Sequence, residues 1–181
     1  TWSFKADWVP DMALACSATF FLQDGLISLS GGRTARGQVA YLASEAKRWE
    51  SAMDDVDRSI RFYDQHVGPY PWPFVTAVQG VREFSGGMEY PMLTYIQPGL
   101  PAGALEEVIA HEIGHNWFFG VLSTNEREYP WLDEGLNSYY DHRYTQSVRH
   151  GRSAFGSLDM EGWLLLGEAG KRLLPIPGHG I

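Results

Sequence analysis

Two histidines four residues apart, with a glutamate directly after the first, stand at His111-Glu112-Ile113-Gly114-His115. On a helix, positions i and i+4 share one face, so both imidazoles can turn a ring nitrogen toward a single metal ion. Glu112 is displaced around the axis from His111, where its carboxylate can reach a water on that metal without ligating it. This is the H-E-x-x-H pattern of metalloproteases, in which the glutamate acts as general base. A catalytic zinc needs a third protein ligand and one open position. Glu134, beyond an eighteen-residue spacer, offers the carboxylate. One Zn2+ per chain, held by His111, His115 and Glu134, would lower the pKa of its water from 15.7 toward ~7 and polarise a scissile carbonyl. Glu112 would take the water proton and later hand it to the leaving amine.

Such ligands must ride on two helices that meet. Residues 102–119 read as the first, with Leu105, Val108, Ile109 and Trp117 available to bury it. Pro130 and the acidic Asp133 and Glu134 suit the first turn of the second. That helix runs toward His150 and stops at Gly151. Upstream, residues 12–22 read as a strand, Asp24-Gly25 as a turn, and residues 26–29 as a second strand. Residues 38–67 carry Val39, Leu42, Ala46, Trp49, Met53, Val56, Ile60 and Tyr63 at helical steps, which predicts one long amphipathic helix ended by Gly68-Pro69. Asp54, Asp55 and Asp57 are expected on its solvated face. Residues 73–81 read as a strand and residues 83–87 as a bend. Residues 88–96 read as a further strand, and Pro91 within it demands a sheet edge. An edge offers unpaired backbone groups on which an extended peptide can add as a strand, so Glu89 is expected beside a cleft.

These motifs resemble the M1 family of zinc aminopeptidases. The resemblance rests on H-E-I-G-H-N-W-F-F-G, on the spacer to Glu134 within W-L-D-E-G, and on Gly86-Gly87-Met88-Glu89-Tyr90, which matches the family's G-x-M-E-N exopeptidase motif. It covers residues 86 to about 141; the flanks match loosely. It implies a thermolysin-like α+β catalytic domain of the gluzincin type, with a mixed sheet over the metal-helix pair. Residues 1–181 would be part of that domain, with the family's N-terminal β domain and C-terminal helical part outside this chain. By the resemblance, Glu89 binds the protonated α-amino group of a peptide with a free N-terminus, through a charge-assisted hydrogen bond. Gly86 and Gly87, beside Met88, let the peptide backbone approach closely. Tyr90 replaces the family's asparagine, and Asn116 its usual glutamine. Asp141, seven residues after Glu134, stands where the family has an acidic residue, and is expected to orient a ligand histidine. The family's oxyanion-stabilising tyrosine falls downstream; Tyr139, Tyr140 and Tyr144 are too near Glu134 to match it. Because oxyanion donors contribute about 10²–10³ in rate, these 181 residues alone are expected to bind zinc and hydrolyse poorly. The alternatives are a zinc endopeptidase, a bifunctional epoxide hydrolase, or a non-catalytic peptide-binding module with a structural zinc. Glu112 argues against the last, since a structural site has no need of a base.

Composition sets the outer bounds. A net charge of −8 and a pI near 5.1 exclude a nucleic-acid surface, where a basic stripe is expected. No apolar run approaches the ~20 residues of a membrane span. The glycine-rich residues 31–37 lack the Lys-Ser/Thr of a phosphate loop. Cys16, the one cysteine, reads as a buried structural thiol. His66 suits a helix C-terminus, whereas His142, His150 and His179 lack ligand spacing. Trp117 and Trp131 read as packing residues. The tail beyond residue 155 holds one short apolar run, Trp163-Leu164-Leu165-Leu166, and is expected to be partly ordered.

Overall fold

The computed structural model describes residues 3–81 and 86–155. Five strands form one mixed sheet in the order β1-β2-β3-β5-β4. β1 (Phe21–Ser28) and β2 (Thr34–Tyr41) pair antiparallel; β3 (Phe74–Gln79) runs parallel to both β2 and β5 (Leu93–Ile96). The two-residue β4 (Gly87–Met88) closes the edge antiparallel to β5. Helices α1 (Ala52–His66), α2 (Ala102–His115) and α3 (Glu134–Val148) complete the α+β architecture.

The chain upstream of α1 departs from its sequence reading. Residues 12–20 form no strand, and Asp24-Gly25 lies in the middle of β1 rather than at a turn. The reversal comes later, in the 3-10 turn Ser30–Gly32, where Gly31 and Gly32 adopt positive φ. The helical spacing that links Val39 and Leu42 to Trp49 and Val56 is accidental. Val39 belongs to β2, whose alternate residues Ala35, Gly37, Val39 and Tyr41 are buried with period two. α1 therefore begins only at Ala52. Its buried face, Ala52, Val56, Ile60 and Tyr63, packs under the sheet with Ala77, Ile96, Ile109 and Ile113. Asp55 is not solvated: it is buried and paired with Arg58. Burial lifts its carboxyl to about 7 despite that guanidinium.

Pro91 does not sit within a strand. It occupies the turn between β4 and β5, so the expected strand over residues 88–96 is two shorter ones. The edge is β4, immediately before Glu89. Asn116 ties this turn to α2, its Oδ1 accepting from the Met92 amide at 2.9 Å and its amide donating to the Ile113 carbonyl at 2.9 Å. Cys16 is exposed, contrary to expectation, because the segment around it forms no strand to bury it. Trp117 is buried and donates its indole N–H to the Gly68 carbonyl at 2.9 Å, but Trp131 is largely exposed in the 3-10 turn Pro130–Leu132. Residues 83–85 of the expected bend, the run 163–166 and His179 lie outside the described residues.

Candidate metal centre and substrate cleft

α2 is fastened to the core by Leu105, Ile109 and Ile113, which recur at four-residue steps and are almost wholly buried. This fixes the opposite rotation of His111 and His115. Beyond His115 the helix widens into a π turn, Asn116–Val121, and a loop returns the chain to α3. Glu134 is the first residue of α3, so its carboxylate projects from the helix start toward both histidines.

The His111 and His115 Nε2 atoms are 3.2 Å apart, and Glu134 Oε2 lies 3.4 Å from the first and 3.6 Å from the second. Ligand bonds of about 2.1 Å in a tetrahedron require donor separations of about 3.4 Å. The three donors thus fit one zinc ion, with Glu134 on the open side.

Each imidazole is braced from behind. His111 Nδ1 lies 2.6 Å from Asp141 Oδ2, and His115 Nδ1 lies 2.5 Å from Asp133 Oδ1. Both contacts commit Nδ1 to the carboxylate and leave Nε2 for a metal. Asn137 adds a bond from its amide to the His111 carbonyl at 2.8 Å. Burial disfavours the imidazolium of His111, but the Asp141 carboxylate outweighs it and holds the pKa well above the ordinary value. His115 is raised by the same contest, with Asp133 as the partner. Glu134 is held low, first by its contact with His111. Asp133, Asn137 and Tyr63 are members of this assembly that the sequence did not disclose. Asp133 read only as a first-turn acid favouring the helix dipole, and its position directly before Glu134 was the available signal.

Glu112 is 4% exposed, and its Oε2 is buried without a hydrogen-bond partner. Burial raises its carboxyl to about 7 against the lowering effect of the two histidines; Glu89 and Glu134 add to the rise. Glu89, Glu112 and His115 each have one donor atom within 4.8 Å of the other two, which brings Glu89 to the margin of the same site. Glu89 is half-buried and its carboxyl is raised, chiefly by burial. Gly87 passes so close that a Cβ there would lie 2.0 Å from Glu112 Oε1. Gly86, at φ +81, donates its amide to Gln97 Oε1 at 2.5 Å, and the Met88 carbonyl accepts from Thr94 Oγ1 at 3.3 Å. Tyr90 packs edge-on against Tyr95. Tyr140 stacks on Phe118, and the Tyr144 hydroxyl donates to Glu106, so neither is engaged with the histidines.

A mixed sheet over a helix carrying H-E-x-x-H, met by a second helix that begins with a glutamate, is the framework of a metallopeptidase. The chain belongs to peptidase family M1, whose domain matches residues 51–170. It is 30% identical over 155 residues to leucine aminopeptidase 2 of Neurospora crassa, a match covering 80% of this chain and 23% of that protein. Leukotriene A-4 hydrolase of Xenopus laevis is 39% identical over 93 residues, covering 49% of this chain and 15% of that protein. The chain thus spans about a quarter or less of these relatives' lengths. In fold it is similar to an M1 zinc metallopeptidase from Deinococcus radiodurans, with a TM-score of 0.61 at 21% identity, over 89% of this chain and 34% of that one.

Proposed function

We propose that this chain carries the zinc centre and part of the substrate cleft of an aminopeptidase. The observation that carries the reading is the triad of donors from His111, His115 and Glu134 at tetrahedral spacing, with the unpaired Glu112 carboxylate oxygen alongside. The relatives named leucine aminopeptidase support the peptide substrate. Because the chain matches only a fraction of their length, the proposal is confined to the catalytic unit that residues 1–181 contribute.

When bound, zinc supplies a Lewis acid that polarises the scissile carbonyl and acidifies water. His111, His115 and Glu134 would hold it, the histidines as neutral imidazoles each kept in one tautomer by Asp141 or Asp133. Glu112 accepts the proton of the attacking water at its free carboxylate oxygen and later delivers it to the departing amine nitrogen. Glu89 receives the substrate's α-ammonium in a half-buried position, where a charge-assisted bond is strong. Gly86, Gly87 and Met88, along the β4 edge, offer backbone groups to the extended peptide. A terminal ammonium held at Glu89 sets the distance to the first peptide bond, so the enzyme releases one N-terminal residue at a time. Among the described residues no helix is long and apolar enough to cross a membrane.

The test is paired. In the full-length protein, Glu112→Gln should keep zinc and lose turnover, while Glu89→Gln should impair cleavage of free-amine peptides and narrow their advantage over N-acetylated ones. Unchanged turnover in Glu112→Gln refutes the base. Equal wild-type cleavage of free and N-acetylated peptides refutes the exopeptidase reading in favour of an endopeptidase.

A further inference from the structure

The two ligand histidines are braced unequally. His115 and its partner Asp133 are both buried, so that bond is held by its surroundings. Asp141, the partner of His111, leaves 23% of its side chain exposed on α3. A carboxylate with that much freedom can rotate toward water, and the imidazole it orients would follow. The second oxygen of Asp141 is anchored by a residue outside every recognisable motif. Tyr63, on α1, donates its hydroxyl to Asp141 Oδ1 at 3.1 Å, while Asp141 Oδ2 faces His111 Nδ1 at 2.6 Å. One donor on each oxygen fixes the plane of the carboxylate.

We infer that Tyr63 is a positioning residue for the metal ligand His111, acting through the carboxylate of Asp141. The inference rests on the zinc set proposed above. Tyr63 is fully buried, stacked on Trp117 with centroids 5.4 Å apart and met edge-on by Phe62 at 5.3 Å. The ring is therefore clamped, and the hydroxyl has a fixed position from which to hold Asp141. Phenylalanine would satisfy the packing equally well. A buried hydroxyl that made no bond would be a net cost, so the oxygen is accounted for by Asp141.

The helix between the ligands is shaped for the same contact. A Cβ at Gly114 would lie 2.6 Å from the Tyr63 hydroxyl oxygen and 2.0 Å from Asn137 Oδ1. Glycine within H-E-I-G-H lets both side chains reach beneath α2. There Asn137 holds the His111 backbone carbonyl and Tyr63 holds the partner of the His111 ring. Backbone and ring of one ligand are thus secured from two different helices, α3 and α1.

The experiment is a double-mutant cycle on zinc affinity in the full-length protein, read by competition with a chromogenic chelator. Removing the Asp141 carboxylate (Asp141→Ala) should weaken zinc by about 10–100-fold. Tyr63→Phe, one bond further out, should weaken it by about three- to tenfold, and should alter the visible absorption of the cobalt(II)-substituted protein. In the Asp141→Ala background, Tyr63→Phe should cost nothing further. An unchanged affinity and cobalt spectrum in Tyr63→Phe would overturn the inference. So would an equal loss in both backgrounds, which would mark a general effect on the fold. A wild-type protein that binds no zinc would instead refute the ligand set itself.

Discussion

Asp133 separates the two ways in which a carboxylate can serve a metal-bound histidine, by accepting a hydrogen bond and by lending charge. Its Oδ1 lies 2.5 Å from His115 Nδ1, and both side chains are almost entirely out of solvent. Asp133→Asn keeps an acceptor oxygen of the same reach and removes the charge. A charge-assisted bond contributes about 1.5–3 kcal/mol and a neutral one about 1 kcal/mol, so the loss should be about 1 kcal/mol, or roughly fivefold in zinc affinity. The asparagine variant should therefore be mild. Asp133→Ala leaves a buried Nδ1–H without an acceptor and frees the ring to turn, and should weaken zinc by about 10–100-fold. Chelator competition at one pH, with the three proteins side by side, gives the ratio directly. If asparagine is as damaging as alanine, charge rather than orientation carries the effect. If neither variant differs from wild type, the contact does not orient His115 and the argument fails.

Two further outcomes follow from groups that change protonation. His111 and His115 are both held above the ordinary histidine range before a metal is bound, so zinc must displace protons from them. Zinc affinity should fall as pH is lowered from about 8 to 6, and an affinity independent of pH over that interval would contradict the ligand assignment. Away from the site, Asp64 accepts from the Ser30 and Tyr70 amides, each at 2.8 Å, and from Arg33 at 2.6 Å. Burial alone would raise its carboxyl, but these bonds prevail and lower it from 3.8 to about 2. A depressed carboxylate stabilises the fold fully above its unfolded value and loses that contribution as pH falls through the folded one. At about 1.4 kcal/mol per pH unit, Asp64→Asn should cost about 2 kcal/mol at neutral pH and almost nothing near pH 2. Equal destabilisation at both pH values in thermal unfolding would show that packing, not charge, is responsible.

The site was more legible than the scaffold, for a physical reason. A helix converts sequence spacing into geometry with little freedom, so His111 and His115 could be assigned a common face, and Glu112 a place to one side of it, without tertiary information. Sheet residues carry no such guarantee. Val39, Leu42, Ala46 and Trp49 satisfy a helical period, yet pairing with β1 and β3 claims the first of them for a strand. Pro91 signalled an edge correctly as a matter of chemistry, but the chain meets the constraint with a turn and a two-residue strand. Tyr63 was read as one member of an apolar stripe, which its ring is. Its hydroxyl gained a different task from Asp141, 78 residues away in sequence, and no local pattern encodes a partner at that distance.

The charge balance of the cleft argues that the metal and the substrate amine answer the same need. Glu89, Glu112, Asp133, Glu134 and Asp141 converge around two histidines, and Glu126 joins Glu89 and Asp133 at the margin. Burial and mutual repulsion raise Glu89, Glu112 and Glu126 above ordinary carboxyl values. Acids so crowded favour any cation that enters. A dication between His111, His115 and Glu134 would neutralise the side nearest the helices. It would leave Glu89, on the β4 side, still short of a partner. On the proposed reading, a free α-ammonium would supply that remaining charge, whereas an acylated terminus would bring a neutral amide and leave the Glu89 carboxylate without a counter-charge. If Glu89 receives the substrate amine as proposed, discrimination against blocked peptides would come as much from the cost of that unpaired carboxylate as from the bond gained by the free amine.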